Sequence, residues 1–152
     1  MKLRTPIAAA ALLLIGLNAA NAQTFDDYQQ RQSDLVALSA LFGELHHIRR
    51  YCEPRLEGDI WRERMKTLVE LEEPQTAARE EMVAAFNKGY RAAQQRFSSC
   101  NRNARDHAAA RAAQGELIVE RLTEPLIEAA AAERAAQEEG FVDEARFDPQ
   151  DR

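Results

Sequence analysis

The chain has 152 residues, a formal net charge of −5 at pH 7 and only two cysteines. This length is enough for one domain with one hydrophobic core. The excess of acidic over basic residues argues against a nucleic-acid partner, because such a partner favours a basic surface.

The first 22 residues have the pattern of a secretory signal peptide. Lys2 and Arg4 form a short basic region, residues 7–17 are almost entirely apolar, and residues 20–22 (Ala-Asn-Ala) fit a small-x-small cleavage site. The apolar run is shorter than the about 20 residues that a transmembrane helix needs. We therefore expect cleavage near Ala22, a periplasmic protein, and no transmembrane segment in the mature chain.

Residues 23–124 predict an all-α domain, an up-down-up-down bundle of about four helices. Alternating β-branched runs are absent, and Ala, Glu, Arg, Gln and Leu dominate. The predicted spans are about 33–51, 59–73 and 76–97, and a fourth helix from Asn101 or Asn103 to about 123, with Ser33 and Asp59 as candidate N-caps. The segment 24–32 either extends the first helix or frays. The predicted apolar faces are Leu35, Leu38, Leu41, Phe42, Leu45 and Cys52; Trp61, Met65, Leu68 and Leu71; Met82, Phe86, Tyr90, Ala93 and Phe97; and Ala104, Ala108, Gly115, Ile118 and Leu122.

The last segment, residues 125–152, is predicted to be an acidic tail rich in Ala and Glu. Pro125 is expected to break or kink the fourth helix. The remainder has few large apolar side chains to bury, which indicates a lone helix that frays into disorder. Alternatively, Phe141 and Phe147 dock on a partner.

Cys52 and Cys100 are expected to form a disulfide, because an exported protein meets an oxidising compartment. They end the first and third predicted helices, which are parallel in an up-down-up-down bundle, so both reach the same end. The alternative, a redox pair, lacks a C-x-x-C motif.

Two glycines and two polar residues occupy unusual positions in the predicted helices. Gly89 and Gly115 fall at the same height on inner faces, so the third and fourth helices are expected to cross closely there. Glu72 falls on the inner stripe of the second helix and Asn87 at the margin of the third, which predicts a polar network between them. Arg49 falls on an inner face near Trp61 and is expected to stack on it or to pair with an acid.

A cluster of arginine and aromatic residues marks the candidate binding surface, since arginine suits carboxylates and phosphates. Its members are Arg49, Trp61, Arg62, Asn87, Tyr90 and Arg91. Ordinary pairing of these arginines with neighbouring glutamates is the competing interpretation. His46 and His47 point about 100° apart on a helix and cannot chelate one ion in the usual i, i+4 manner. They and His107 are interpreted as surface histidines, with no metal site.

Four short motifs resemble a family of small exported alphaproteobacterial proteins of unknown function. The matching residues are Leu45, Ile48, Arg49 and Cys52; Trp61, Arg62 and Met65; Phe86, Asn87, Lys88, Gly89, Tyr90 and Arg91; and Cys100. The resemblance covers about residues 33–122. It implies an exported helical protein, and it brings no activity, ligand or catalytic residue.

No catalytic motif, phosphate-binding loop or haem attachment site is present in the sequence, so we expect neither an enzyme nor a cofactor. The preferred hypothesis is a non-catalytic interaction or adaptor protein that binds an envelope protein or a cell-wall component. The alternative is a periplasmic small-molecule or metal-binding sensor with a polar pocket between helices.

Overall fold

The computed structural model describes the backbone of residues 8–146 and the side chains of residues 26–138. Within these limits the regular elements are all helical. The helices are α1 (Ala8–Cys52), α2 (Pro54–Glu57), α3 (Ile60–Glu72), α4 (Thr76–Arg96) and α5 (Arg102–Arg146). Because α2 is a single turn, the bundle has four long helices tied by one disulfide, as predicted. The basic residues of the predicted signal peptide, the Phe141 side chain and Phe147 lie outside the described residues.

Helix α1 lies at the centre of the bundle. Leu45, His46, His47 and Ile48 are consecutive, and none is more than 4% exposed. A helix that is buried all round must be surrounded by other elements. Accordingly α3, α4 and α5 pack against α1 and make their main contacts with it rather than with each other.

The core divides into two clusters along α1. Their largest members come from the predicted apolar faces, which are largely confirmed. One cluster contains Leu35, Leu38, Leu41, Met65, Met82, Ile118 and Leu122, and the other contains Leu45, Ile48, Trp61, Ala93, Phe97, Ala104 and Ala108. The prediction for Leu71 is wrong, since its side chain is 78% exposed. The inward position in the last turn of α3 belongs to Glu72, one residue later, which is half-buried.

Two of the predicted N-cap residues, Asp59 and Asn101, directly precede a helix in the structure. Asn101 caps α5, because its Oδ1 accepts a hydrogen bond from the Ala104 N–H at 2.9 Å. Asp59 precedes α3 as expected, but its backbone carbonyl rather than its side chain receives the first helical N–H groups. The chain leaves α3 through Glu73, which adopts the left-handed conformation (φ 42°) just before Pro74.

The first helix begins earlier than the predicted N-cap at Ser33, and residues 24–32 are helical. Arg31 fixes this segment: its Nη2 donates to both carboxylate oxygens of Glu72 at 2.7 and 2.8 Å, and its Nη1 donates to the Leu122 carbonyl at 3.0 Å. One side chain thus joins α1 to α3 and α5 at the end of the bundle opposite the disulfide.

Helix α5 continues through Pro125 to Arg146, so Pro125 does not end the helix as expected. A proline inside a helix lacks an N–H, and its ring crowds the preceding turn. The carbonyl that loses its helical donor at Pro125 is that of Arg121, four residues earlier. The adjacent Leu122 carbonyl accepts a hydrogen bond from the Arg31 guanidinium of α1. Residues 124–138 are exposed throughout, in agreement with a tail that has little to bury.

The predicted disulfide between Cys52 and Cys100 is confirmed, with the two Cα atoms 5.1 Å apart. It joins the end of α1 to the connection between α4 and α5. None of the described helices is both long enough and apolar enough to span a membrane.

The predicted close crossing at Gly89 and Gly115 is wrong about the helices involved, because both glycines face α1. A Cβ on Gly89 would lie 3.0 Å from the Ala40 carbonyl carbon and closer still to its oxygen. Gly43 of α1 is equally confined, since its Cβ would lie 2.9 Å from the Tyr90 backbone nitrogen. The crossing that needs glycine is therefore between α1 and α4. At Gly115 a Cβ would meet only the Leu38 and Leu41 methyl groups, at ordinary contact distance.

Candidate functional site

The residues of the predicted arginine-aromatic surface lie on separate helices and differ in burial. Trp61 is only 9% exposed and faces α1, with its ring centroid 5.8 Å from that of Phe42. Tyr90 is half-buried against His46 and His47, at centroid distances of 5.7 and 5.3 Å. The other members of the surface on α3 and α4, Arg62, Asn87 and Arg91, are exposed.

Arg49 is half-buried and pairs with an acid, one of its two predicted arrangements. Its Nε lies 3.6 Å from Glu57 Oε2, and the same carboxylate oxygen accepts a 2.8 Å hydrogen bond from Trp61 Nε1. The cation that stacks on Trp61 is Arg64, whose Cζ lies 4.5 Å from the ring centroid. Glu57, in the single-turn helix α2, thus fixes the position of the indole.

The predicted polar network between Glu72 and Asn87 does not form. Glu72 binds Arg31, as described above, while Asn87 is exposed on α4. The reason is geometric: α3 and α4 each pack on α1, so an inward residue of α3 meets α1 first. Arg31 lies on α1, and its hydrogen bonds to Glu72 replace those that the half-buried carboxylate loses to water.

The interpretation of His46 and His47 as surface residues is wrong, since each is 4% exposed. His47 Nε2 lies 3.0 Å from the Phe97 carbonyl oxygen, and His46 Nδ1 has no hydrogen-bond partner among the described residues. Burial, and then the charge of Arg50, hold the pKa of His46 below its usual range. His107 is half-buried and binds Glu44 through Nε2 at 2.8 Å.

Glu44 is the centre of an ionic contact between α1 and α5. Its carboxylate receives hydrogen bonds from Arg111 and His107. Burial opposes its ionisation, but these bonds outweigh burial and hold the pKa of the Glu44 carboxyl below its usual value. A second pair, Asp34 and Arg121, works in the same way, and the Arg121 hydrogen bond lowers the pKa of Asp34. Both contacts fix α5 on α1.

An open groove of about 420 Å³ lies between α3 and α5, with α1 as its floor. The floor is apolar and consists of Leu38, Leu41, Phe42 and Leu45. The α3 wall carries Trp61 and Arg64, and the α5 wall carries Ala112, Gly115, Glu116, Val119 and Glu120.

Small residues on α5 create this groove. Ala112 and Gly115 leave the space above α1 open, although the leucines of the floor are themselves only 1–3% exposed. The next apolar wall residue, Val119, is 42% exposed at the rim. The accessible apolar surface of the groove thus comes mainly from Phe42 and Val119, and it is bordered by charges, which is the usual composition of a binding site for an apolar group.

The charges at the two rims have opposite signs. Arg64 stands on the α3 side, and Glu116 and Glu120 stand one turn apart on the α5 side. None of the ion pairs among the described residues uses any of the three. The described residues also contain no group of three or more His, Cys, Asp or Glu side chains that could hold a metal ion.

The fold and the groove define a small, disulfide-tied, all-α domain with one central helix. A family model described as "Protein of unknown function (DUF2385)" matches residues 28–125, and the chain belongs to this family. The matched segment contains the disulfide, the groove and the described ion pairs between helices, and it ends at Pro125. No curated protein and no solved structure matches the chain.

Sequence reasoning placed Arg64 beside Trp61 but not at a groove, and it missed three other residues that shape the site: Arg31, Gly43 and Ala112. Gly43 carries the same signal as Gly89, a glycine within a helical pattern, and could have been found with it. Arg31 lies in the segment whose structure was left open. The roles of Arg64 and Ala112 depend on the angle between α3 and α5, which helical periodicity does not specify.

Proposed function

We propose that this protein is a non-catalytic interaction or adaptor protein of the cell envelope, exported to the periplasm with cleavage near Ala22. The pattern of residues 1–22 supports export, as does the disulfide, because disulfides form in oxidising compartments. The sequence motifs support relatives among small exported alphaproteobacterial proteins.

The single observation that carries the interaction role is the open apolar groove between α3 and α5. The leucines of its floor are only 1–3% exposed, and the apolar surface that a partner can reach comes from half-buried Phe42 on the floor and from Val119, 42% exposed, at the rim. We therefore assign partner binding to the groove instead of to the predicted arginine-aromatic surface. Trp61 is the one residue that belongs to both. A small-molecule or metal sensor would be better served by an enclosed pocket with converging polar groups, whereas here the charges stand only at the rims.

Site-specific photo-crosslinking in the producing cell tests the groove. A photoreactive residue replaces Val119, at the rim of the groove, and in a second variant replaces Val83, on α4. These two valines match in type and nearly in exposure, at 42% and 44%. We expect a discrete cross-linked partner from position 119 only, and its loss in Gly115→Leu, which fills the groove.

Equal cross-linking from both positions, or cross-linking that persists in a folded Gly115→Leu variant, would overturn the groove as the binding site. Export is tested separately by cell fractionation and by the intact mass of the protein. A periplasmic chain that begins near Gln23 is expected, and an uncleaved cytoplasmic chain would contradict export.

A further inference from the structure

We infer that the groove between α3 and α5 binds an amphipathic helix of another envelope protein, with basic residues along the flank that meets Glu116 and Glu120. This inference rests on the proposed function and adds the chemistry of the partner. It follows from the length of the groove, the composition of its floor and the signs of its rim charges.

The length of the groove fits about two turns of helix. Its α5 wall runs from Ala112 to Glu120, which is about 12 Å along a helix axis. Over that length a docked helix presents apolar side chains at i, i+3 or i+4, and i+7, the spacing used by helices that bind in grooves. The apolar side chains of such a helix would meet Phe42, which is half-buried in the floor, and Val119, which is 42% exposed at the rim.

The two glutamates are placed unfavourably for the isolated protein. Glu116 and Glu120 are four residues apart on α5, where like charges repel and destabilise a helix slightly. Both are exposed and take part in none of the ion pairs between described residues. A lysine or arginine on a bound helix would relieve this repulsion, and an acid on its other flank would meet Arg64 across the groove.

The same charges disfavour two other occupants. An anionic lipid or a fatty acid would bring its negative group into a groove with two carboxylates on one wall. A second copy of this chain that offered its exposed α5 segment, residues 124–138, would bring four acids and only one base to the two glutamates. A helix with a basic flank has neither conflict.

Trp61 provides a direct reporter, because it is the only tryptophan in the chain and lines the groove. The disulfide-bonded protein is titrated with three synthetic 18-residue helical peptides that share one leucine stripe. The first has Lys on one flank of the stripe and Glu on the other, the second has Gln on both flanks, and the third has Glu on both. Binding is followed by Trp61 emission and by the anisotropy of labelled peptides.

We expect the Lys/Glu peptide to bind about threefold to tenfold more tightly than the Gln peptide, as exposed charge pairs allow, and the Glu peptide to bind most weakly. The Glu116→Gln/Glu120→Gln double variant should lose most of this preference and keep its affinity for the Gln peptide. Gly115→Leu should bind none of the three. The preference should also shrink as the salt concentration rises.

The outcomes separate the two proposals. Equal affinity for all three peptides, each abolished in Gly115→Leu, would overturn the charge-matched helix and leave the groove as a binding site. No binding of any peptide would overturn the helix as occupant. If photo-crosslinking at position 119 also gives no partner, the proposed function fails. A saturable response to laurate or to phosphatidylglycerol vesicles but to no peptide would replace the helix with a lipid.

Discussion

Gly89 of α4 lies against the backbone of Ala40 in α1, so closely that a single added carbon would overlap the Ala40 carbonyl group. The contact is reciprocal, because Gly43 of α1 meets the backbone of Phe86 and Tyr90 in the same way. The two helices thus approach each other backbone to backbone. Glycine costs helix stability, about 1 kcal/mol relative to Ala, and this approach explains why it is retained.

The first prediction compares Gly89→Ala with Gly115→Ala. Gly89→Ala should lower the free energy of unfolding by about 1–3 kcal/mol, since backbone atoms cannot move aside as side chains do. Gly115→Ala should raise it by up to about 1 kcal/mol, because its Cβ meets only leucine methyl groups at 3.8 and 3.9 Å. Urea denaturation followed by circular dichroism measures both. Equal effects of the two substitutions would show that α1 and α4 are not so close.

The sequence predicts the buried residues of the outer helices better than those of the central helix α1. Periodicity identifies the core of the outer helices correctly, from Met82 on α4 to Ile118 on α5, because each has a single buried face. It fails for His46 and His47, since a helix at the centre has no solvent face at that level. A helical-wheel analysis assumes that every helix has one face exposed to solvent.

Pairing between helices is the second limit of sequence reasoning. Glu72 was correctly identified as an inward acid, but its partner is Arg31 rather than Asn87. Heights along a bundle follow from counting residues, whereas the neighbour of a given face depends on how the helices are arranged around the centre. The groove is invisible to the sequence for the same reason, since its walls belong to two helices that periodicity treats separately.

The second prediction concerns Glu44, whose ionised form binds Arg111 and His107. Glu44→Gln should cost about 1–3 kcal/mol at pH 7, because the two donors on α5 lose a charged acceptor. The pKa of Glu44 is lowered in the folded protein, so its contribution is fully present above about pH 4.3 and is lost as the pH falls below that value. The variant should therefore show a smaller loss of stability between about pH 4.5 and about pH 2.

Glu80→Gln is the matched control for Glu44, since Glu80 is exposed on α4. Its stability should stay within about 0.5 kcal/mol of the parent protein. Chemical denaturation at several acidic pH values measures the free energy of unfolding of the parent protein and of both variants. If Glu44→Gln and Glu80→Gln have the same pH profile, the contact with Arg111 and His107 contributes nothing to stability.

The third prediction concerns His46, which packs on Phe86 and Tyr90 and whose Nδ1 has no hydrogen-bond partner within residues 26–138. Its pKa is lowered by burial and by Arg50, so the imidazole stays neutral in the folded protein where the unfolded chain is already protonated. The unfolded state then binds more protons, and the free energy of unfolding should fall as the pH drops below about 6.5. Above about pH 7.5 this dependence should vanish.

His46→Phe should reduce the slope between about pH 6.5 and about pH 5, because it keeps an aromatic ring and removes the titrating group. Asp59 favours the charged imidazole, while Arg62 and His47 oppose it together with Arg50, so the slope reflects their balance. Glu80→Gln, at an exposed position on α4, should keep the parental slope here. An unchanged slope in His46→Phe would mean that the imidazole titrates as it does in the unfolded chain.

The fourth prediction concerns the disulfide between Cys52 and Cys100, which are separated by 48 positions in the sequence. In the chain-entropy model, a loop of this length stabilises the folded state by roughly 4 kcal/mol. The Cys52→Ala/Cys100→Ala double variant should lose about that much in urea denaturation. Cys52 packs at the edge of the cluster that contains Trp61, so tryptophan emission follows unfolding at this end of the bundle.

Reductant should lower the stability of the parent protein to a similar value and leave the double variant unchanged. A parent protein that is insensitive to reductant would show that α1 and the connection after α4 stay together without the covalent bond.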